Sequence, residues 1–267
     1  RPRPLSALDN YIITNDGAEF TINRRLATWT TNPASKTYGD ADPAFFPLIE
    51  LVRYYGLRTE QAHGTVVLHS AAVKRRENDE VIALIGAKGA GKTTTMLSLL
   101  ASGDYEYFSG DKLLLDRTDD GLRVRGWPDY PHVGIGTLRH HAELALRLGI
   151  GLEADDKTPL PSHHKVLLEP ASYLAAIGGP PQACGRLSRV ILPRIHEFGQ
   201  MQHGAVGQEE KEAMPACNLF EWPHQFVTAT WHGLPWTQRS YTTDVPRGLL
   251  RSLQDFPWHY RFGLHTT

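Results

Sequence analysis

Val81 to Leu100 reads VIALIGAKGAGKTTTMLSLL, and the reading of this stretch decides the rest. Val81-Ile82-Ala83-Leu84-Ile85 is a short apolar run of the kind a buried strand carries. It breaks into Gly86-Ala87-Lys88-Gly89-Ala90-Gly91-Lys92-Thr93, a full match to the phosphate-loop (Walker A) pattern G-x-x-x-x-G-K-[ST]. Thr94 to Leu100 continues as a predicted helix, with Met96, Leu97, Leu99 and Leu100 available for an apolar face. Glycines let such a loop fold into a nest of inward-pointing N–H groups, and the helix adds the positive end of its dipole to the same anion site. Lys92 would reach the β- and γ-phosphates of a bound ATP, and the Thr93 hydroxyl would ligate Mg²⁺. The candidate nucleotide-binding residues are Gly86, Ala87, Lys88, Gly89, Ala90, Gly91, Lys92, Thr93 and Thr94, with Lys88 at a variable position of the pattern.

The 267 residues are 41% hydrophobic and 21% charged, ordinary values for a globular protein, and a formal net charge of −1 gives no global case for nucleic acid or an anionic membrane. Cys184 and Cys217 fall in no metal-ligand spacing and form no disulfide framework, which favours a reducing compartment. No apolar run reaches membrane-spanning length and Arg1-Pro2-Arg3-Pro4 has no signal-peptide core, so a cytoplasmic protein is expected.

Upstream of the loop, Tyr11 to Thr30 alternates apolar and polar around Asn15-Asp16-Gly17 and predicts an antiparallel hairpin. Residues 31–42 read as a loop and Phe45 to Tyr55 as a helix. Gly64 to Val73 is a β-branched strand ending near His69, joined to the loop strand by the charged turn Lys74 to Glu80. Downstream, Tyr105 to Leu115 predicts one apolar strand with Asp111 near its middle, followed by a strand over Leu122 to Trp127. Pro128 to Gly136 reads as a loop holding Asp129 and His132. Thr137 to Leu148 predicts a single amphipathic helix, and residues 149–164 a loop that could serve as a lid. Strands are expected at Lys165 to Pro170 and Leu187 to Leu192, an irregular polar stretch at 199–216, and a short helix at Arg247 to Leu253. Strands outnumber helices and several pair as hairpins, unlike a regular βαβ sheet. The expected fold is a mixed α/β sheet with the phosphate loop at its centre. Residues 1–63 would form a hairpin-and-helix region packed on a catalytic domain over 64–267.

A strand ending in His (Val66-Val67-Leu68-His69-Ser70-Ala71), the phosphate loop, a helix and then Phe108-Ser109-Gly110-Asp111-Lys112-Leu113 occur here in that order. This resembles the HPr kinase/phosphorylase catalytic domain and its HPr kinase-like relatives, which share a fold with phosphoenolpyruvate carboxykinase. The resemblance covers about residues 64–116. It implies an active-site role for His69, phosphate and metal roles for Lys92 and Thr93, and a catalytic or metal-binding role for Asp111. The family has an Asp-Asp pair after the loop helix, and here that pair reads Gly110-Asp111. Either Asp111 serves alone, or His69 or Asp129 supplies the missing base. The HPr-binding signature is absent, and the resemblance leaves a homo-oligomer open, since HPr kinases form hexamers.

Phosphoryl transfer needs in-line positioning, charge neutralisation and a group that orients or deprotonates the attacking hydroxyl. The expectation is therefore an ATP- and Mg²⁺-dependent kinase, with Asp111, His69 and Lys92 as catalytic residues and Thr93 and Asp111 as metal ligands. Its acceptor would be a serine or threonine hydroxyl of a peptide or free amino acid, or a small-molecule alcohol. The alternative is a nucleotide-binding ATPase or regulator without an acceptor. No N-K-x-D motif supports a GTPase. The doublets His140-His141 and His163-His164, with His132, lack structural zinc spacing. Arg186, Arg189 and Arg194 read as surface arginines unless they clamp the nucleotide, and the aromatic segments Phe226 to Trp231 and Trp258 to Gly263 read as core.

Overall fold

The computed structural model describes residues 3–4, 10–15, 18–23, 28–31, 56–57, 60–61, 63–119, 121–128, 131–153, 157–179, 184–196, 202–218 and 244–264, the first four stretches as backbone only. The predicted loop at 31–42, the helix at 45–55, Asp129 and the aromatic segment 226–231 lie outside these residues. The chain divides into two compact units, one of residues 1–64 with 221–242 and one of residues 65–220 with 243–267.

In the first unit, β1 (Arg3–Pro4), β2 (Asn10–Asn15), β3 (Ala18–Asn23) and β4 (Thr28–Thr31) form an antiparallel sheet in chain order. The Asn15↔Ala18 pair closes β2 onto β3 as the antiparallel hairpin expected there.

The second unit is built on an eight-stranded mixed sheet. Its first strands are β5 (Val66–Arg75), β6 (Glu80–Ile85), β7 (Tyr105–Ser109), β8 (Lys112–Thr118) and β9 (Gly121–Gly126), with helix α1 (Lys92–Ala101) between β6 and β7. A two-stranded sheet, β10 (His132–Gly134) with β11 (Lys165–Leu167), brackets α2 (Ile135–His140) and α3 (Ala142–Arg147), and α4 (Pro170–Ile177) follows. The chain returns through β12 (Cys184–His196), β13 (Gln202–Ala205), α5 (Gln208–Cys217), α6 (Asp244–Gln254) and β14 (Trp258–Leu264). β5 pairs antiparallel with β6, whereas β12 runs parallel to both β6 and β14. The beginning of β12 also pairs with β9, so hydrogen bonds run in a closed circuit through β12, β6, β5, β8 and β9.

Alternation along the strands divides the interior into two cores. Val81, Ala83 and Ile85 join Leu68, Leu113, Val190, Leu249, Leu253 and Trp258 on one face. Ile82 and Leu84 face the other way, onto Met96 and Leu97 of α1, Leu138, Leu144 and Tyr173. Burying Met96 and Leu97 stabilises the α1 docking by about 1.5–3 kcal/mol each. Among the described residues no helix is long and apolar enough to cross a membrane.

Several expectations need correction. The predicted strand over Tyr105 to Leu115 is two strands, β7 and β8, parted at Gly110-Asp111. The pairs Ala72↔Ser109 and His69↔Lys112 keep one register across the gap, so the strand is interrupted without being displaced. The helix expected over 137–148 starts at Ile135 and breaks at His141, whose ring lies 3.3 Å from the Thr94 carbonyl oxygen of α1. His132–Gly134, read as loop, is a strand because it finds β11. The polar stretch at 199–216 contains β13, which hydrogen-bonds onto β14, and α5. Their polar composition hid both, since neighbouring elements rather than local pattern hold them. α4 went unread although Glu169-Pro170 begins it. The Glu169 carboxylate accepts the Ser172 N–H at 2.7 Å and Pro170 opens the helix, a recognisable start signal.

Candidate active site

The glycine-rich loop leaves β6 at Ile85 and enters α1 at Lys92. Gly89 (φ +86°) and Gly91 (φ +97°) hold it in the left-handed region, where side chains are strained. Gly91 is constrained twice over, because a Cβ there would sit 2.4 Å from the Ile195 side chain. The Ala90 carbonyl accepts the Ile195 N–H at 3.1 Å, which ties the loop to the end of β12. No side chain caps the start of α1 and no acid lies in its first turn, so its leading N–H groups are not neutralised by the helix itself.

Lys92 points back into this loop. It is buried, and its Nζ donates to the carbonyl oxygens of Gly86 at 2.6 Å and Ala87 at 3.3 Å. Burial pushes its pKa down to about 8; the Asp111 charge acts against that and the Lys165 charge with it. Among its partners only carbonyl dipoles are in hydrogen-bond reach, so the ammonium is desolvated without a bonded countercharge. Ala87, Lys88 and Gly89 are exposed, Ala90, Gly91 and Thr93 half-buried, Gly86 and Thr94 buried. The Thr94 hydroxyl is spent on packing, 2.9 Å from that of Thr137 on α2.

Sheet register carries the other two predicted residues to the same end of β6. Ser70 on β5 lies opposite Ile85, the last residue before the loop, and its N–H donates to the Asp111 carbonyl at 2.9 Å. His69 therefore stands one residue along, opposite Lys112, on the α1 face of the sheet. Its Nε2 is 3.0 Å from Asp111 Oδ1, while Lys112 Nζ donates to Asp111 Oδ2 at 3.0 Å. Burial would raise the Asp111 pKa, but the His69 hydrogen bond and the Lys112 ammonium outweigh it and hold the carboxyl well below the usual range. The backbone break at Gly110-Asp111 is what frees this carboxylate to meet His69, for in an unbroken strand residues 111 and 112 would point to opposite faces.

No family model and no curated protein matches this chain.

His69, Asp111 and Lys92 are thus brought into one neighbourhood. The arginines are not. Arg186 and Arg189 are exposed on β12, and Arg194 pairs with Glu210 while lying 5.0 Å from the Tyr260 ring centroid. His132, His140, His163 and His164 are exposed, and among the described residues no three His, Cys, Asp or Glu side chains converge. Lys112, to which the sequence analysis gives no role, is fully buried. An acid and a lysine side by side entering an apolar strand was the available signal, since neither is buried cheaply without the other. Asn218, also missed, is buried and its carbonyl accepts the His69 N–H at 2.7 Å. Nothing in the local sequence marks that long-range contact.

Proposed function

We propose that this protein is an ATP- and Mg²⁺-dependent kinase of the HPr kinase-like phosphate-loop type, transferring the γ-phosphate to an alcohol. The carrying observation is the desolvated Lys92 ammonium, seated on loop carbonyls at an uncapped helix start and within electrostatic reach of Asp111. A triphosphate supplies the countercharge that Lys92 lacks, and the leading N–H groups of α1 complete the anion site. The donor chemistry fits Mg²⁺: the Thr93 hydroxyl is a hard oxygen ligand of the kind that ion takes, and the Asp111 carboxylate, already bonded to His69 and Lys112, would add a second through a remaining lone pair, with phosphate oxygens and water filling the other positions. When bound, the ion neutralises charge on the phosphates.

The reaction forms a bond between acceptor oxygen and γ-phosphorus and breaks the bridging bond, whose electron pair leaves with ADP. The acceptor's proton needs a receiver. Asp111 is a poor one, because both its oxygens are engaged and its pKa is depressed. Its role is to orient His69 through Nε2 and to stabilise the imidazolium formed when His69 takes the proton. Lys92 holds the phosphates, and Lys112 fixes the carboxylate on which His69 leans. The same engagement of Asp111 gives some weight to a second reading, an ATPase or regulator whose only acceptor is water.

ADP release from MgATP, followed with and without a panel of seryl and threonyl peptides, free serine and glycerol, separates the two. The kinase reading expects release that depends on one of the alcohols, and at least a 100-fold loss in Lys92→Ala. Equal release across the whole panel would overturn it, and full activity in Lys92→Ala would remove the phosphate-loop assignment.

A further inference from the structure

Gly110 stands where the family resembled here carries an acid, and its backbone does not require glycine, because its φ lies outside the left-handed region. The reason for glycine lies across the chain. A Cβ built at Gly110 would meet the Tyr107 hydroxyl at 2.9 Å, and its next nearest atoms, at 3.8 and 3.9 Å, also belong to Tyr107. The phenol oxygen occupies the space into which a side chain at 110 would project.

Tyr107 reaches that space through a local irregularity. β7 pairs Ser109 with Ala72 but Tyr107 with Val73, so Phe108 is an extra residue on its strand. Ala72 belongs to one core and Val73 to the other. In a regular strand Tyr107 would share the face of Ser109; the bulge turns it onto the face that carries α1 and His69. There its ring stands edge-on to Tyr173, 6.1 Å between centroids at 87°, and Tyr173 is itself buried. A bulge, an aromatic neighbour and a missing side chain together deliver one hydroxyl against the backbone of Gly110, the residue that precedes Asp111.

We propose that the Tyr107 hydroxyl takes the place of the absent acid and positions the acceptor alcohol next to Asp111. This rests on the kinase reading above. A neutral phenol donates and accepts one hydrogen bond, so it suits an uncharged alcohol better than a second carboxylate would. Tyr107 contributes by holding the acceptor oxygen in line, and the proton still goes to His69.

The test uses the full chain, MgATP and whichever alcohol of the panel is phosphorylated fastest. Tyr107→Phe is expected to raise the acceptor KM or lower kcat by tenfold or more, leaving the MgATP KM within twofold and the thermal midpoint unchanged. Gly110→Ala is the sharper variant. Its backbone tolerates alanine, but the methyl group must push the Tyr107 hydroxyl aside, so the variant loses some stability while reproducing the Tyr107→Phe defect in acceptor kinetics. The double variant should then be no worse than either single one, because both remove the same contact. Wild-type acceptor kinetics in Tyr107→Phe and Gly110→Ala, or defects that multiply in the double variant, would overturn the proposal while leaving the kinase reading intact. Absence of acceptor-dependent transfer by the wild-type protein would overturn both.

Discussion

Two buried lysines lie on the same face of the sheet and are treated in opposite ways. Lys112 is 0% exposed and its Nζ sits 3.0 Å from the Asp111 carboxylate. Lys92 is 8% exposed and its Nζ rests on two carbonyl oxygens of its own loop. The first is a settled pair, in which the half-exposed Asp111 carboxylate offsets the burial of the Lys112 ammonium. The second carries a cost: a pKa brought from 10.5 to about 8 by burial corresponds to about 3 kcal/mol of uncompensated desolvation. Lys112 holds a neighbour in place. On the proposed function, a bound triphosphate would offset the cost at Lys92.

The largest effect expected from that contrast is in Lys92→Met. Losing the ammonium should weaken triphosphate binding by more than 100-fold, measured by titration with a non-hydrolysable ATP analogue. The same variant should be more stable than wild type at pH 7 by about 1–3 kcal/mol in urea unfolding, because a methionine of similar length removes the desolvation cost. The sign follows from the shift. The folded pKa of Lys92 lies below the unfolded one, so the wild-type penalty is complete below pH about 8 and vanishes as pH rises through the unfolded value near 10.4. The stability advantage of the methionine variant must fade over that same interval. A variant that binds weakly and is also less stable would make Lys92 a structural residue like Lys112.

Lys112→Met should give the opposite pattern. It strips Asp111 Oδ2 of its partner and should destabilise the fold by about 2 kcal/mol at pH 7, less than for a fully buried pair because the Asp111 side chain is 46% exposed and water can take the vacated place. Triphosphate affinity should change by less than about threefold, since the Lys112 ammonium is engaged by the Asp111 carboxylate. Asp111 has a depressed folded pKa, so its contribution is present above the unfolded carboxyl value and is lost as pH falls through and below about 4. The gap between wild type and variant in unfolding free energy should therefore narrow on acidification. A constant gap from pH 7 to 3 would mean that Lys112 matters through packing alone.

Sequence and structure divide this contrast between them. Gly86 to Thr93 announces itself, because the loop's constraints are local: positive φ at Gly89 and Gly91, and a strand and helix on either side. His69 and Asp111 could be named, but not the bond between them, since it depends on β5 pairing with β8 and on a two-residue break in the facing strand. The mixed sheet was legible from the abundance of hairpins. The parallel placement of β12 between β6 and β14 was not, because Cys184 to His196 looks the same whatever its neighbours. α5 and β13 were missed for a related reason: their polar residues follow no clear period, and they persist because β14 and α6 are beside them. Lys92 was legible as a motif letter, whereas its desolvation is a property of the folded loop only.

The smallest expected effect tests that property directly. On the proposed function Lys92 would hold phosphate as an ammonium, and a bound triphosphate would supply a countercharge against the burial that depresses its pKa. Binding must then be linked to proton uptake at any pH where the free protein is partly deprotonated, near and above pH 8. Affinity for the ATP analogue should be level between pH 6.5 and 7.5 and fall by about tenfold per unit beyond pH about 8 until the bound-state pKa is reached. Calorimetry in two buffers of different ionisation enthalpy should show close to half a proton taken up per triphosphate at pH 8. Lys92→Arg keeps the charge but cannot titrate, so its affinity, whatever its absolute value, should be flat across the range. If wild-type affinity is equally flat, the Lys92 ammonium is compensated in the free protein, and the two buried lysines differ in partner but not in kind.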